Sequence, residues 1–191
     1  FPPGGPAMLA LGELVRAPWI VNPICGGISI AAFATALRWS GSRAGVSLGA
    51  SILFGFAPFV VFQSASHMNH VTSLTWLLVA TAALIRATRD DVDHSFAGFV
   101  CGLGLGIAAT IRPLDAAAWA LPAAAWLGWR AIRRGHWRAF LFSGVGVALP
   151  MALGVSARCD MNCVAYIRPP NPSSAKARTT PAIHRTGLSI G

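Results

Sequence analysis

The fold of this chain follows from one stretch, residues 95–115, which reads SFAGFVCGLGLGIAATIRPLD. Its apolar part is close to the ~20 residues that a helix needs to cross a ~30 Å hydrocarbon core. Gly98, Gly102 and Gly106 recur every four residues and form a ridge on which another helix can pack closely. The stretch therefore predicts a membrane-spanning helix that ends at the polar sequence Arg112-Pro113-Leu114-Asp115.

The composition of the whole chain is that of a membrane protein. The 191 residues are 54% hydrophobic and 11% charged, whereas a soluble domain has roughly 25% charged residues. The formal net charge of +9 does not indicate nucleic-acid binding, because the basic residues form short clusters between apolar runs, without an aromatic and basic surface. Four cysteines are too few for a disulfide framework. We expect an integral membrane protein that does not bind nucleic acid.

About six apolar segments of membrane length follow one another. Helices are required, because an isolated strand cannot satisfy its backbone hydrogen bonds in lipid. Prolines inside the segments, Pro58, Pro122 and Pro150, predict kinks. The predicted fold is therefore all-α, a polytopic bundle of about six transmembrane helices. The predicted spans are residues 23–39, 45–63, 68–86, 95–111, 113–130 and 139–156.

The chain divides into three predicted regions. Residues 1–18 are expected to form an extracytoplasmic loop with a short interfacial helix over Pro6–Val15, and residues 19–156 the transmembrane bundle. Residues 157–191 have few large apolar side chains and no helical period, which predicts a disordered tail. The basic residues of the tail would lie outside, against the usual trend. One hypothesis is therefore that the tail is not native.

The arginines predict the orientation, since basic residues of short loops are retained in the cytoplasm. They follow the first, third and fifth predicted spans: Arg38, Arg43, Arg86, Arg89, Arg130, Arg133, Arg134 and Arg138. The polar sequences Ser66-His67-Met68-Asn69-His70 and Arg112-Pro113-Leu114-Asp115 fall in the opposite loops. We therefore expect both to lie together on the outer face, where ionisable groups at a membrane boundary usually mark a site.

The predicted substrate-binding residues are Arg112, His67, His70, Asn69 and Asp115. The planar guanidinium of Arg112 suits bidentate binding of a phosphate. His67 and His70 are three residues apart and could share a helix face, or they could be solvated residues at a helix start. Asp115 could stabilise the start of the fifth helix or orient Arg112.

Two other patterns do not predict cofactor or metal sites. Gly102-Leu103-Gly104-Leu105-Gly106 resembles a dinucleotide-binding loop, but no strand precedes it. Cys159 and Cys163 lack the second pair of ligands that a zinc site needs. We expect neither a cofactor nor a metal site among these residues.

Several sequence motifs, in order and spacing, resemble the GT-C membrane glycosyltransferases. More narrowly, the chain is similar to the bacterial relatives of protein mannosyltransferases and of the lipid A aminoarabinose transferase. The resemblance covers residues 1–156. The motifs are Phe1-Pro2-Pro3-Gly4-Gly5-Pro6 with Leu9-Ala10, Ala17-Pro18-Trp19-Ile20-Val21-Asn22-Pro23, Ser66-His67-Met68-Asn69-His70, and Gly102-Leu103-Gly104-Leu105-Gly106 leading into Arg112-Pro113-Leu114-Asp115.

The resemblance implies an enzyme of the bacterial plasma membrane that transfers a sugar from a polyprenyl-phosphate donor to an unknown extracytoplasmic acceptor. Arg112 would contact the donor phosphate, and His67 and His70 would line the same pocket. The acidic catalytic segment of the family normally precedes the region where this chain begins. Glu13 does not match it, and no catalytic residue is assigned. The resemblance thus implies a central fragment, inactive alone, and leaves a divalent metal in the parent protein open.

Two other classes of protein compete with this interpretation. A membrane transporter could place the same polar groups near a lumen, although transporters typically carry broken helices or charges near the bilayer midplane. A structural membrane subunit would tolerate replacement of His67, His70 and Arg112 without loss of function.

Overall fold

The computed structural model describes residues 4–14, 16–66, 69–89, 94–135 and 137–167. These residues are helical and contain no strand, which confirms the predicted all-α class. A short 3-10 helix, Pro18–Ile20, precedes the second of the α-helices. The α-helices are α1 Gly4–Leu14, α2 Val21–Trp39, α3 Ala44–Gly55, α4 Pro58–Ala65, α5 His70–Ala87, α6 His94–Ile111, α7 Pro113–Arg134 and α8 Trp137–Ile167.

Fewer helices than expected qualify as membrane spans. Within the described ranges, three helical segments are long and apolar enough, namely Pro18–Trp39, His70–Ala87 and Trp137–Ser156. A fourth is added if Ala44–Gly55 and Pro58–Ala65 count as one bent span. The chain therefore has the helices of a membrane protein, but the predicted number of about six spans was too high.

The two predicted spans that do not qualify fail for different reasons. The apolar part of α6, Ser95–Ile111, is shorter than the other spans. In α7, Asp115 lies in the first turn, Pro122 lies inside the helix, and Arg133 and Arg134 lie in the last turn. Charged residues are costly in hydrocarbon, so these residues and the tryptophans of α7 lower its tendency to span. Both helices are present; the error lay in the length of α6 and in the composition of α7.

The second predicted span is broken, and Pro58 explains the break. The axes of α3 and α4 differ by 54°, and Pro58 is at the first position of α4. Proline cannot donate a backbone hydrogen bond and is tolerated at a helix start. The kink predicted at Pro58 is thus confirmed, whereas Pro122 and Pro150 lie inside continuous helices.

The interface between α2 and α5 is held by buried hydroxyl groups. The Ser29 and Thr75 side-chain oxygens are 2.8 Å apart, and the Thr75 hydroxyl also lies 2.9 Å from the carbonyl oxygen of Cys25. Ser29 and Thr75 are buried. Lipid tails are as apolar as leucine side chains, so close packing and interhelical hydrogen bonds replace the hydrophobic effect as the force between membrane helices.

The glycine ridge of α6 packs against the backbone of α8, as its spacing predicted. A Cβ atom added at Gly98 would overlap the backbone of Ala139, and one at Gly102 would overlap the backbone of Ser143. A Cβ at Gly106 would lie 2.8 Å from the Val147 carbonyl oxygen. Each step of four residues along α6 therefore meets a step of four along α8.

The C-terminal region begins within α8. The bundle extends to Ala157, and a second unit comprises Arg158–Gly191. The helical backbone of α8 continues to Ile167, past the boundary at residue 156 from which we expected a disordered tail. Residues 168–191, the remainder of that predicted tail, lie outside the described residues.

The substitution Gly102→Ala tests the α6–α8 contact. The added methyl group would press on backbone atoms of Ser143, which cannot rotate away as a side chain can. We expect the free energy of unfolding in detergent micelles to fall by about 1–3 kcal/mol, the usual cost of overpacking.

Gly144→Ala in α8 is the matched control, because a Cβ there meets no atom within 4 Å. Alanine is favoured over glycine in a helix by roughly 0.5–1 kcal/mol, so this variant should be as stable as the parent or more so. Equal stability changes in the two variants would contradict the proposed close contact.

Candidate functional site

One end of the bundle is basic. The guanidinium carbon of Arg86 lies 4.9 Å from the centre of the Trp39 ring. Arg89 Nη1 donates a hydrogen bond of 3.4 Å to the Trp39 carbonyl oxygen, and Arg130 donates one to the carbonyl oxygen of Thr88. The C-terminal ends of α2 and α5 and the last part of α7 thus meet at the same end. These are the loops that the positive-inside rule assigns to the cytoplasm.

The opposite end of the bundle brings together the two polar sequences. The Asn22 amide, at the start of α2, donates a hydrogen bond to the Ser66 carbonyl oxygen and accepts one of 3.2 Å from the Thr72 hydroxyl. His70 begins α5, and Arg112 lies between α6 and α7. The described residues of both polar sequences therefore lie at one end of the bundle, as expected.

Arg112 is the centre of this candidate site. Its Nη1 atom lies 2.6 Å from Nδ1 of His70 and 2.8 Å from Oδ2 of Asp115. Pro113 starts α7 directly after Arg112, and Asp115 lies in the first turn of that helix. The spacing of three residues therefore places the carboxylate beside the guanidinium, while α5 supplies the imidazole from far along the chain.

The contact with Arg112 defines the tautomer of His70. A guanidinium has five N–H donors and no acceptor, so Nδ1 of His70 must accept this hydrogen bond. The neutral imidazole then carries its proton on Nε2, which becomes a second donor at the site. The side chains of Arg112 and Asp115 are 40% and 41% exposed, so the remaining guanidinium donors can reach a ligand.

Asn69 is exposed, and its side chain contacts the first turn of α1. The α-carbon of Gly5 is so close that a Cβ atom there would overlap the Asn69 side-chain amide. A Cβ at Gly4 would likewise overlap Thr110 and Ile111 at the end of α6. The start of α1 therefore packs against the start of α5 and the end of α6. At Gly4, where a Cβ would also overlap the backbone of Thr110, only glycine allows this approach.

The structure thus brings together four of the five predicted site residues. Arg112, His70 and Asp115 are in direct contact, and Asn69 directly precedes His70 at the start of α5. The fifth, His67, lies outside the described residues. In the described part of the chain, no group of three or more His, Cys, Asp or Glu residues is arranged to hold a metal ion.

Ser73 is a further buried polar residue near this end of α5, and no sequence motif indicated it. Its side chain is buried and its hydroxyl has no hydrogen-bond partner, although Ser29, Ser51, Thr75 and Thr81 each donate to the carbonyl of the residue four positions earlier. Residues three apart in a helix share a face, so Ser73 lies one turn from His70 on α5. This spacing is the signal that could have identified it.

Comparisons with known proteins do not assign this geometry to a family. No protein-family model, curated protein or solved structure matches the chain. The arrangement of Arg112, His70 and Asp115 is therefore interpreted from its own chemistry.

Cysteine labelling tests whether the site lies on one membrane face. Asn69→Cys and Leu114→Cys place thiols at exposed positions beside the site, and Arg43→Cys and Arg138→Cys place them at exposed positions of the basic end. In a background with Cys159 and Cys163 replaced by serine, a membrane-impermeant maleimide added to intact cells should label the first pair. The second pair should react only after permeabilisation. Labelling of Asn69→Cys and Leu114→Cys from opposite sides would contradict the site.

Proposed function

We propose that this chain is part of a GT-C glycosyltransferase of the bacterial plasma membrane, which transfers a sugar from a polyprenyl-phosphate donor to an extracytoplasmic acceptor. The observation that carries the proposal is the guanidinium of Arg112, held between His70 and Asp115 at the less basic end of the bundle. The sequence resemblance to the GT-C enzymes supplies the reaction class.

The held guanidinium suits a phosphate ligand. Asp115 and His70 both contact Nη1, which restricts the long side chain before any ligand arrives. Less conformational entropy is then lost when the phosphate binds. The other N–H groups of the guanidinium can then donate charge-assisted hydrogen bonds to phosphate oxygens. Arg112 is accordingly proposed as the donor-phosphate contact.

The same charge would lower the barrier to sugar transfer. When the bond between the sugar and the phosphate breaks, negative charge develops on the phosphate oxygens. Donors that are already oriented toward those oxygens stabilise the transition state more than the ground state. Arg112 and the Nε2–H group of His70 would supply such donors, and Asn69, which directly precedes His70, would line the pocket.

The catalytic base is not assigned to a residue of this chain. In the related enzymes it is an acidic residue of the first extracytoplasmic loop. Asp115 is bound to Arg112, so its proposed role is to position the guanidinium. The acceptor-activating carboxylate would come from another part of the enzyme.

The broken helix pair does not favour a transporter. Transporters use discontinuous helices to present polar groups and charges at mid-membrane. Here the break between α3 and α4 has the sequence Gly55-Phe56-Ala57-Pro58, which contains no ionisable side chain. Gly55 instead packs against the Ile30 side chain of α2. The break therefore serves the packing of this helix pair against α2.

Replacement of Arg112 in the enzyme that contains this chain tests the proposal. In proteoliposomes with a polyprenyl-phosphate sugar donor, Arg112→Ala should lower the rate of sugar transfer roughly 100- to 1,000-fold, the usual effect of removing one transition-state donor. Arg112→Lys keeps the charge but loses the planar fork, so it should retain part of the activity.

Arg43→Ala, which removes a positive charge at the opposite end of the bundle, is the matched control and should leave the rate unchanged. Unaltered transfer by Arg112→Ala would remove this residue from the site. Flux of a substrate across the vesicle membrane without a sugar donor would instead support a transporter, and a structural subunit would tolerate all these substitutions.

A further inference from the structure

A long groove lies on the bundle at the opposite end from Arg112. Its volume is about 520 Å³, within the range of roughly 300–1,000 Å³ that is typical of small-molecule sites. It is lined by α2, α5 and α6. The lining contains several alanines, whose short side chains leave the space between the helices open: Ala31, Ala32, Ala82, Ala83 and Ala97.

The groove has the length of one leaflet of a membrane. Along α2 its lining extends from Ile28 to Trp39, which at 1.5 Å per residue is about 16 Å. Half of a ~30 Å hydrocarbon core is about 15 Å. Both α2 and α5 are among the helices that qualify as membrane spans. An acyl chain of a phospholipid therefore matches the groove in length and in polarity.

One end of the groove carries a positive charge. Arg86 is part of the lining, and its guanidinium stacks on Trp39, which also lines the groove. The stacking holds the charge at the rim, where a lipid headgroup would lie. Arginines predominate in the loops at this end, against a single acidic cluster of Asp90, Asp91 and Asp93. Charge complementarity therefore favours an anionic headgroup over a zwitterionic one.

We propose that the groove between α2, α5 and α6 is a binding site for an anionic phospholipid of the cytoplasmic leaflet. One acyl chain lies along the alanine-rich floor, and the headgroup phosphate pairs with Arg86. Arginine suits this role, because the N–H groups along the edge of its guanidinium can donate to phosphate oxygens while one face of the plane remains stacked on an aromatic ring. The proposal does not depend on the glycosyltransferase function, since Arg112 lies at the other end of the bundle.

Native mass spectrometry of the chain in a neutral detergent tests the proposal. The chain is titrated with phosphatidylglycerol or with phosphatidylcholine of the same acyl composition. We expect phosphatidylglycerol to bind at least fivefold more tightly. Arg86→Gln should remove that preference by weakening phosphatidylglycerol binding about fivefold, the effect of one basic residue near an anionic lipid. Arg86→Lys should keep most of the preference.

Two matched controls separate this site from general attraction to a basic surface. Arg43→Gln removes a charge in the same group of loops at a residue that does not line the groove, so the preference should persist. Ala31→Phe fills the groove from an exposed position of α2 and should weaken the binding of both lipids. Ile24→Phe, at an exposed position outside the groove, should leave the binding of both unchanged.

Equal binding of the two lipids would overturn the proposal, as would an unchanged preference in Arg86→Gln. A dimer that forms without lipid and that Ala31→Phe disrupts would show that a second copy of the chain covers the groove instead. A melting temperature measured for each variant distinguishes lost lipid binding from lost folding. If Arg86→Gln does not fold, Arg86→Lys and Ala31→Phe still decide the outcome.

Discussion

The structure depends on how helices associate when the solvent around them is lipid. Every backbone group must be satisfied within a helix, and little hydrophobic force remains between one apolar helix and the next. Contact therefore requires backbones to approach closely or side chains to share hydrogen bonds. The glycine ridge of α6 meets that requirement against α8, and the Ser29–Thr75 pair meets it between α2 and α5.

The connection between α6 and α7 positions the side chain of Arg112. The close contact of α6 with its neighbours positions the end of that helix, Ile111. Pro113 starts α7 immediately after Arg112. Arg112 is thereby held at the rim, next to the first turn of α5. The two ends of the bundle consequently differ: Arg112 pairs with His70 and Asp115 at one end, while Arg86 stacks on Trp39 at the other. Each end of the bundle therefore holds one guanidinium against neighbouring side chains.

Much of the local structure could be predicted, because it depends on residues close together in the chain. The positions of the helices follow from apolar length, the break at Pro58 from the missing amide donor, and the packing face of α6 from glycine spacing. The number of spans was overestimated, because α7 carries Asp115, Pro122 and basic residues within an otherwise apolar helix. The unpartnered hydroxyl of Ser73 was missed, since a serine in a membrane helix usually bonds to its own backbone.

The sequence by itself determined that this is an all-helical membrane chain with its arginines concentrated in alternate loops. Apolar length and loop charge are local properties of the chain, and each acts directly on how a segment is placed in a bilayer. Alternation of the loops also implied that the two polar sequences share one end. Only the tertiary structure decided that His70 accepts a hydrogen bond from Arg112, that Gly5 packs against Asn69, and that alanines open a groove beside Arg86. These contacts join residues far apart in the chain, and their geometry depends on helix rotation and crossing, which periodicity alone does not specify.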